Sequence, residues 1–195
     1  GGSATTGVDG SVSWSPDQTE PLVTSVTGDL VAVQNTDDDT LTEATRTLSI
    51  TPSGTARWSE AATDTDDAQL TTFVHVQVAK DYARTFNPDA AFQSWVGDQI
   101  IARDNIAQNC NAFYNPGDAS LNLFIADAQC ENTGRLPDVI EHEFGHGVHD
   151  HSVIQGAGSF PSDFQEGAAD FFAAMITGDH EMGLGFNYNA SPLRD

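Results

Sequence analysis

Two histidines one helical turn apart, with a glutamate between them, are the residues in this chain best placed to do chemistry. They lie in His142-Glu143-Phe144-Gly145-His146, inside the run from Leu136 to Val148. On a helix, His142 and His146 project from one face, where two imidazoles can hold a zinc ion at about 2.0–2.1 Å each. Glu143 lies beside them, within reach of a water at the metal without being a ligand. Pro137 suits the first turn of such a helix and Asp138 suits its positive end. The pattern taken alone also fits two histidines that serve only surface or packing roles.

A second segment, Phe164 to Ile176, adds weight to the metal reading. Its apolar residues Phe164, Ala168, Phe171, Phe172 and Met175 predict a buried helix. Glu166 and Asp170 stand one turn apart on it, and acids in such surroundings need partners. Glu166 as third ligand, with Asp170 accepting from the second nitrogen of a ligand histidine, satisfies both. The alternative is a solvated acidic face, which fits poorly beside so many aromatic residues.

With these residues in place, the sequence resembles the gluzincin metallopeptidases of the thermolysin and fungalysin-like group. Their pattern is HExxH followed about twenty residues later by Glu-x-x-x-Asp. Asn111-Ala-Phe-Tyr114 is similar to the family's substrate-binding edge strand, residues 67–86 to its first long helix, and Ser191-Pro-Leu-Arg194 to the segment bearing its substrate-binding arginine. The resemblance covers about residues 67–195. It implies that Asn111 and the carbonyl of Ala112 hold substrate backbone, that Arg194 binds a substrate carbonyl, and that peptide or protein is the substrate. It also implies a following helical lobe that supplies a His or Tyr to the oxyanion, so this lobe, covalent or as a separate chain, is an expected partner. The loop from Asp150 to Phe160 has no tyrosine such as thermolysin-like members carry there. A metzincin would need a glycine at position 149 and a histidine at 152, whereas the chain has His149 and Ser152.

The expected fold class is α+β: a zincin-like lobe over 67–195, with a twisted sheet packed on a long helix and the HExxH helix. A small β-rich region over 1–66 precedes it. Strands are expected at Ser11–Ser15, Pro21–Val26, Leu30–Gln34, Thr45–Ile50 and Thr55–Trp58, closing a sheet of their own. The run from Asp67 to Phe86 mixes strand-like alternation at Val74, Val76 and Val78 with helical spacing, and its length favours helix. Asn87-Pro-Asp89 should end it. Further strands are expected at Gln99–Ala102, Asn111–Tyr114 and Leu121–Ile125. His75, His149 and His151 read as polar residues on helix surfaces or ends.

Composition narrows the partners. The formal charge of −22 comes from 29 acids against 7 basic residues, of which Lys80 is the one lysine. Such a field repels nucleic acid and anionic membrane. It suits salty surroundings that screen self-repulsion, and calcium sites are a second reading of the abundant Asp. Cys110 and Cys130 flank the Asn-Ala strand and the metal helix. A disulfide between them is expected, implying an oxidising, extracytoplasmic setting and a secreted protein. Two buried thiols or thiolate metal ligands are the alternatives. No stretch approaches a membrane span, and Gly1 to Gly7 lacks the basic start and apolar centre of a signal peptide, so a mature or trimmed form is expected.

Function therefore divides three ways: a zinc endopeptidase, an inactive zinc-binding fragment of one, or a binding module with structural zinc. A general base at Glu143 argues against the last, since a structural site has no use for one.

Overall fold

The computed structural model describes residues 13, 17–36, 42–43, 45–55, 63–154, 156–189 and 191–194. In chain order the elements are β1 (Glu20–Ser25), β2 (Val31–Asn35), β3 (Thr42–Glu43), β4 (Thr45–Ile50), α1 (Asp64–Ala83) and α2 (Ala90–Gly97). Then come β5 (Ile100–Ile106), β6 (Ala112–Asn115), β7 (Ser120–Phe124), a 3₁₀ turn (Thr133–Arg135), α3 (Pro137–Ser152) and α4 (Ser162–Thr177). The class is α+β. No helix among the described residues is long and apolar enough to cross a membrane.

One five-stranded sheet, in the order β3-β2-β5-β7-β6, carries the helices. β2 and β7 run parallel to β5, while β3 and β6 run antiparallel to their neighbours. This departs from the expected separate N-terminal sheet. β2 leaves its sequence neighbours to pair with β5, Val31 opposite Ile100, and only β1 and β4 form a sheet of their own among the described residues. The cause is burial: Val31 and Val33 are fully buried in the main core, whereas β1 alternates exposed and half-buried residues. A boundary at residue 67 would therefore cut the sheet. Of the expected strands, Ser11–Ser15 falls outside the described residues apart from Ser13, and Thr55–Trp58 apart from Thr55.

α1 begins at Asp64 because the Thr63 side chain accepts from the Asp66 backbone N–H at 3.1 Å. Asp64, Asp66 and Asp67 then occupy the positive end of the helix dipole. Its buried stripe is Ala68, Thr72, Val76, Ala79 and Ala83, a near-perfect four-residue spacing that settles the helix–strand ambiguity. Val74 and Val78, which made the run look strand-like, are exposed. α2 is missing from the sequence reading. Asp89, read there as part of a helix stop, instead starts α2 by accepting from the backbone N–H groups of Ala91 and Phe92 at 3.0 and 3.1 Å.

α3 is buried almost throughout its first twelve residues. It lies between α1, α4 and the sheet, and an aromatic chain stitches these together: Trp95 stacks on Phe144 at 5.3 Å, and Phe144 and Tyr82 both meet Phe172. α3 also runs against α4 with no room to spare. A Cβ on Gly145 would lie 2.9 Å from the Cα of Ala169, inside the distance real Cβ contacts reach. The expectation that α4 is buried on the stripe Phe164, Ala168, Phe171, Phe172 and Met175 holds at Phe172 and fails at Phe164, Phe171 and Met175. Ala169, Phe172 and Ala173 are the buried residues, while Phe164, Phe171 and Met175 are 54%, 68% and 52% exposed. α4 has two apolar faces; one packs into the core against α3, while the other stays largely exposed and meets α3 only where Phe164 touches His149.

Cys110 and Cys130 form the expected disulfide and no cysteine is free among the described residues.

Because the Gly145 contact is with backbone, the neighbour cannot rotate away. Gly145→Ala should part α3 from α4, lowering stability by about 1–3 kcal/mol. It should also lower affinity for zinc, since the pairing of the two helices sets the distance between the candidate ligands. Thermal melting and zinc titration check both; an unchanged zinc affinity would show that the helices can shift without disturbing the site.

Candidate metal centre

The α3–α4 contact brings the predicted ligands together. His142 and Glu143 are buried and His146 half-buried, all on the α3 side of a cleft of about 820 Å³. Glu166 comes across from α4, its Oε2 3.3 Å from His142 Nε2 and its Oε1 3.5 Å from His146 Nε2. One ligating atom from each residue lies within 4.8 Å of the others. Tetrahedral zinc with bonds near 2.0–2.2 Å places its ligand atoms about 3.3–3.5 Å apart. The donor set, two imidazoles and a carboxylate with a fourth direction left to the cleft, fits that ion.

Asp170 is where the sequence placed it. Its Oδ1 is 2.7 Å from His142 Nδ1, which assigns the proton to Nδ1 and turns the Nε2 lone pair towards Glu166 and His146. The other side of Asp170 is held by Arg194, whose Nη2 and Nε donate to Oδ1 and Oδ2 at 2.8 Å each. Arg194 also reaches Glu166 Oε2, with Nη1 at 3.6 Å. The arginine thus lies in the cleft and steadies the carboxylates at the same time. Its segment is fixed at both ends: Met182 bridges Arg194 through backbone bonds, and Gly183 N donates to Asp138 Oδ2 at 2.7 Å, at the start of α3.

Among the described residues β6 pairs with β7 alone, and its other edge runs along α3. The Tyr114 backbone N–H donates to Glu143 Oε2 at 2.9 Å, fixing the glutamate between strand and metal ligands. Asn111 and Ala112 line the same cleft, and the Asn111 carbonyl accepts from Thr133 Oγ1 at 3.2 Å. All eight residues expected at the site therefore border or support one cleft, and the disulfide ties the start of β6 to the turn that precedes α3.

Burial sets the electrostatics. It pushes the Glu143 carboxyl up to about 8, helped by the negative charges of Glu166 and Asp170 and opposed by the Tyr114 bond. It pushes His142 down to about 4, with His146 adding to the effect, and lowers His146 as well. Two neutral imidazoles are the form a metal requires.

Some supporting residues escaped the sequence reading. His75 is not a free surface histidine: its Nδ1 lies 2.8 Å from Oε1 of the buried Glu141, docking α3 on α1. The available signal was an acid on the α3 face turned away from the ligands. His149 packs edge-on against Phe160, and His151 stacks on Trp95 at 4.2 Å. The other converging group among the described residues is Cys110, Asp127 and Cys130, whose sulfurs are joined to each other. Neither group is an all-oxygen set of the kind calcium prefers.

Two measurements test these assignments. Asp170→Asn removes the charge that orients His142 and should weaken zinc binding roughly 10–100-fold in chelator competition while the chain stays folded; an unchanged affinity would remove Asp170 from that role. The second is a pH series on metal-free protein. A carboxyl whose value rises from 4.5 to about 8 on folding favours the fold while protonated, and that contribution is lost as pH climbs between those values. His142 works the other way, its lowered value making the fold more stable as pH rises from about 4 to 6.5. In a comparison of wild type with Glu143→Gln, His142 cancels. The variant should gain relative stability across pH 4.5–8, reaching on the order of 3 kcal/mol at pH 7. A pH-independent difference in melting would show that Glu143 ionises freely.

No protein-family model matches the chain, and comparison with curated proteins also finds no match. Among solved structures, the precursor of protealysin, a metalloproteinase from Serratia proteamaculans, superposes with a TM-score of 0.58 at 14% sequence identity. The match covers 82% of this chain and 50% of that one, so this chain spans about half of the neighbour's length. At that identity the likeness is one of fold: the chain has the α+β architecture of a metalloproteinase precursor.

Proposed function

We propose that this chain carries the metal-binding part of a secreted zinc endopeptidase. The observation that carries the reading is the convergence of His142, His146 and Glu166 beside a buried Glu143, under the edge of β6 that faces away from β7. Bound there by those three residues, zinc supplies Lewis acidity that polarises a carbonyl and acidifies water. The chain's own residues do the rest. The edge of β6 offers backbone groups to an extended peptide, with Asn111 and Ala112 as the contacts and Arg194 facing the same cleft. Glu143, with its proton affinity raised by burial, takes a proton from the attacking water and returns it to the leaving amine. Asp170 keeps His142 in one tautomer through the cycle. The disulfide supports an oxidising, extracellular location.

A second reading is a metal-binding but inactive portion of such an enzyme. The exposed Phe164, Phe171 and Met175 stripe of α4 favours it, because an apolar face of that kind is normally covered. A C-terminal lobe, covalent or separate, is the partner this reading calls for.

Zinc analysis and a peptide-cleavage assay on the same sample separate the two. The first reading expects one zinc per chain and hydrolysis that is lost on chelation, restored by zinc, and lost again in Glu143→Ala by at least about 10²-fold. Zinc binding without hydrolysis supports the second reading. Failure to retain or take up zinc, or hydrolysis that survives Glu143→Ala, would sink both.

A further inference from the structure

The two residues read as peptide contacts are fastened differently from the metal ligands. The ladder of β6 to β7 begins at Ala112, opposite Leu123, so Asn111 lies just outside the sheet. Ahead of it, residues 107–110 run as bends, and Ala107, Gln108 and Asn109 are exposed. Asn111 is therefore held by the neighbouring Cys110–Cys130 bond and by Thr133 Oγ1, which donates to its carbonyl at 3.2 Å. The metal ligands are set instead by the contact of α3 with α4, and neither cysteine lies on either helix.

The two cysteines are unequal. Cys130 is fully buried and packs on Val139 and Phe186. Its backbone N–H donates to Asp127 Oδ1 at 3.0 Å, and the next N–H, of Glu131, donates to the Phe186 carbonyl at 2.8 Å. That anchor stands without the disulfide. Cys110 is half-buried, and its backbone is left-handed at φ of 41°, a region that residues other than glycine rarely adopt. With the bond open, Cys110 is free to leave that conformation and to carry Asn111 with it.

Opening needs a reductant, and a dithiol supplies the electrons. Its thiolate attacks Sγ of Cys110, the partner nearer solvent. The Sγ–Sγ bond breaks, and its electron pair leaves on Cys130 Sγ, which takes a proton. The second thiolate of the reductant then closes the reductant's own disulfide and expels Cys110 Sγ, which takes a proton in turn. The dithiol is oxidised by two electrons and the cystine becomes two thiols. Asp127 is placed to accept from both, its Oδ1 3.5 Å from Cys110 Sγ and 3.3 Å from Cys130 Sγ.

We propose that the Cys110–Cys130 bond is a positioning device for peptide binding. Closed, it sets Asn111 and Ala112 at the cleft; opened by a dithiol, it releases them while the site of His142, His146 and Glu166 persists. This role rests on the peptidase reading, which makes Asn111 and Ala112 peptide contacts, and adds a redox condition to it. Under reducing conditions the chain holds metal and not peptide, and the oxidising setting that closes the bond completes the cleft.

The test uses the full chain bearing Glu143→Gln in three states: bond closed, reduced with dithiothreitol and desalted anaerobically, and reoxidised. Each is supplied with zinc. Backbone hydrogen exchange at residues 107–112 should quicken about ten-fold or more on reduction, stay unchanged in α3 and α4, and slow again on reoxidation. Affinity for an alanine hexapeptide should fall about ten-fold or more, since fixing each freed residue costs roughly one such step. Zinc affinity by chelator competition should stay within about two-fold. The Cys110→Ser/Cys130→Ser chain should match the reduced form. Unchanged exchange at 107–112, or an unchanged peptide affinity, overturns the proposal. So does a loss of zinc affinity as large as the loss of peptide affinity, because the bond would then staple the whole fold. A hexapeptide that fails to bind even the closed chain, with the exchange pattern as expected, supports the redox release of the strand and counts against the peptidase reading.

Discussion

The approach of α3 to α4 at Gly145 is the constraint on which the site depends. Glu166 is twenty residues beyond His146, on a different helix, and its carboxylate must come within 3.3 to 3.5 Å of both imidazole nitrogens. A Cβ at 145 would come within 2.9 Å of the Ala169 Cα, closer than real contacts reach, and would force the two helices apart. At the interior density of a protein core such a gap is not absorbed locally. The aromatic chain through Trp95, Phe144, Phe172 and Tyr82 fixes the same pair of helices from the side away from the cleft. The site is thus held from below by packing, and its precision is that of a core rather than of a loop.

Charge is managed around that packing in a graded way. Arg194, the single cation in contact with the cluster among the described residues, is shared by Asp170 and Glu166. Asp170 passes its influence to His142 through Nδ1. Without a metal, burial keeps the imidazoles neutral and the Glu143 carboxyl hard to ionise, so the cluster avoids collecting bare negative charge. A bound cation would reverse the penalty on Glu143 and release it as a base. Elsewhere the acidic surface is tied down by few cations: Arg135 alone meets Asp64, Asp67 and Glu131.

Much of the site was legible in the sequence because its residues are read by period. His142, His146, Glu166 and Asp170 are each placed by a single turn of helix, and α3 and α4 both formed where their patterns said. What the pattern could not reveal was which of two apolar faces of α4 would find a partner, since Phe164 and Phe172 look equally hydrophobic. The Glu141–His75 pair was hidden for a related reason: it joins residues 66 positions apart, and neither carries a local sign of the other. α2 is not legible because Asn87-Pro-Asp89 serves as the end of one helix and the cap of the next. Of the N-terminal strands that fall among the described residues, β1 and β4 pair with each other as expected, while β2 joins the main sheet, because alternation states that a strand has a buried face without saying which sheet will bury it.

That last pairing bears on how the molecule is assembled. β2 sits between β3 and β5, so the sheet under the metal helix cannot be completed until a strand near residue 31 returns to one near residue 100. Parallel pairing over such a distance must meet its loop-closure cost before its contacts accrue, which makes it a late and slow event in folding. α3 rests on that sheet. The helices can form early from their own sequences, but the geometry of the candidate ligands becomes rigid only when β2, a strand that contributes none of them, has returned to pair with β5.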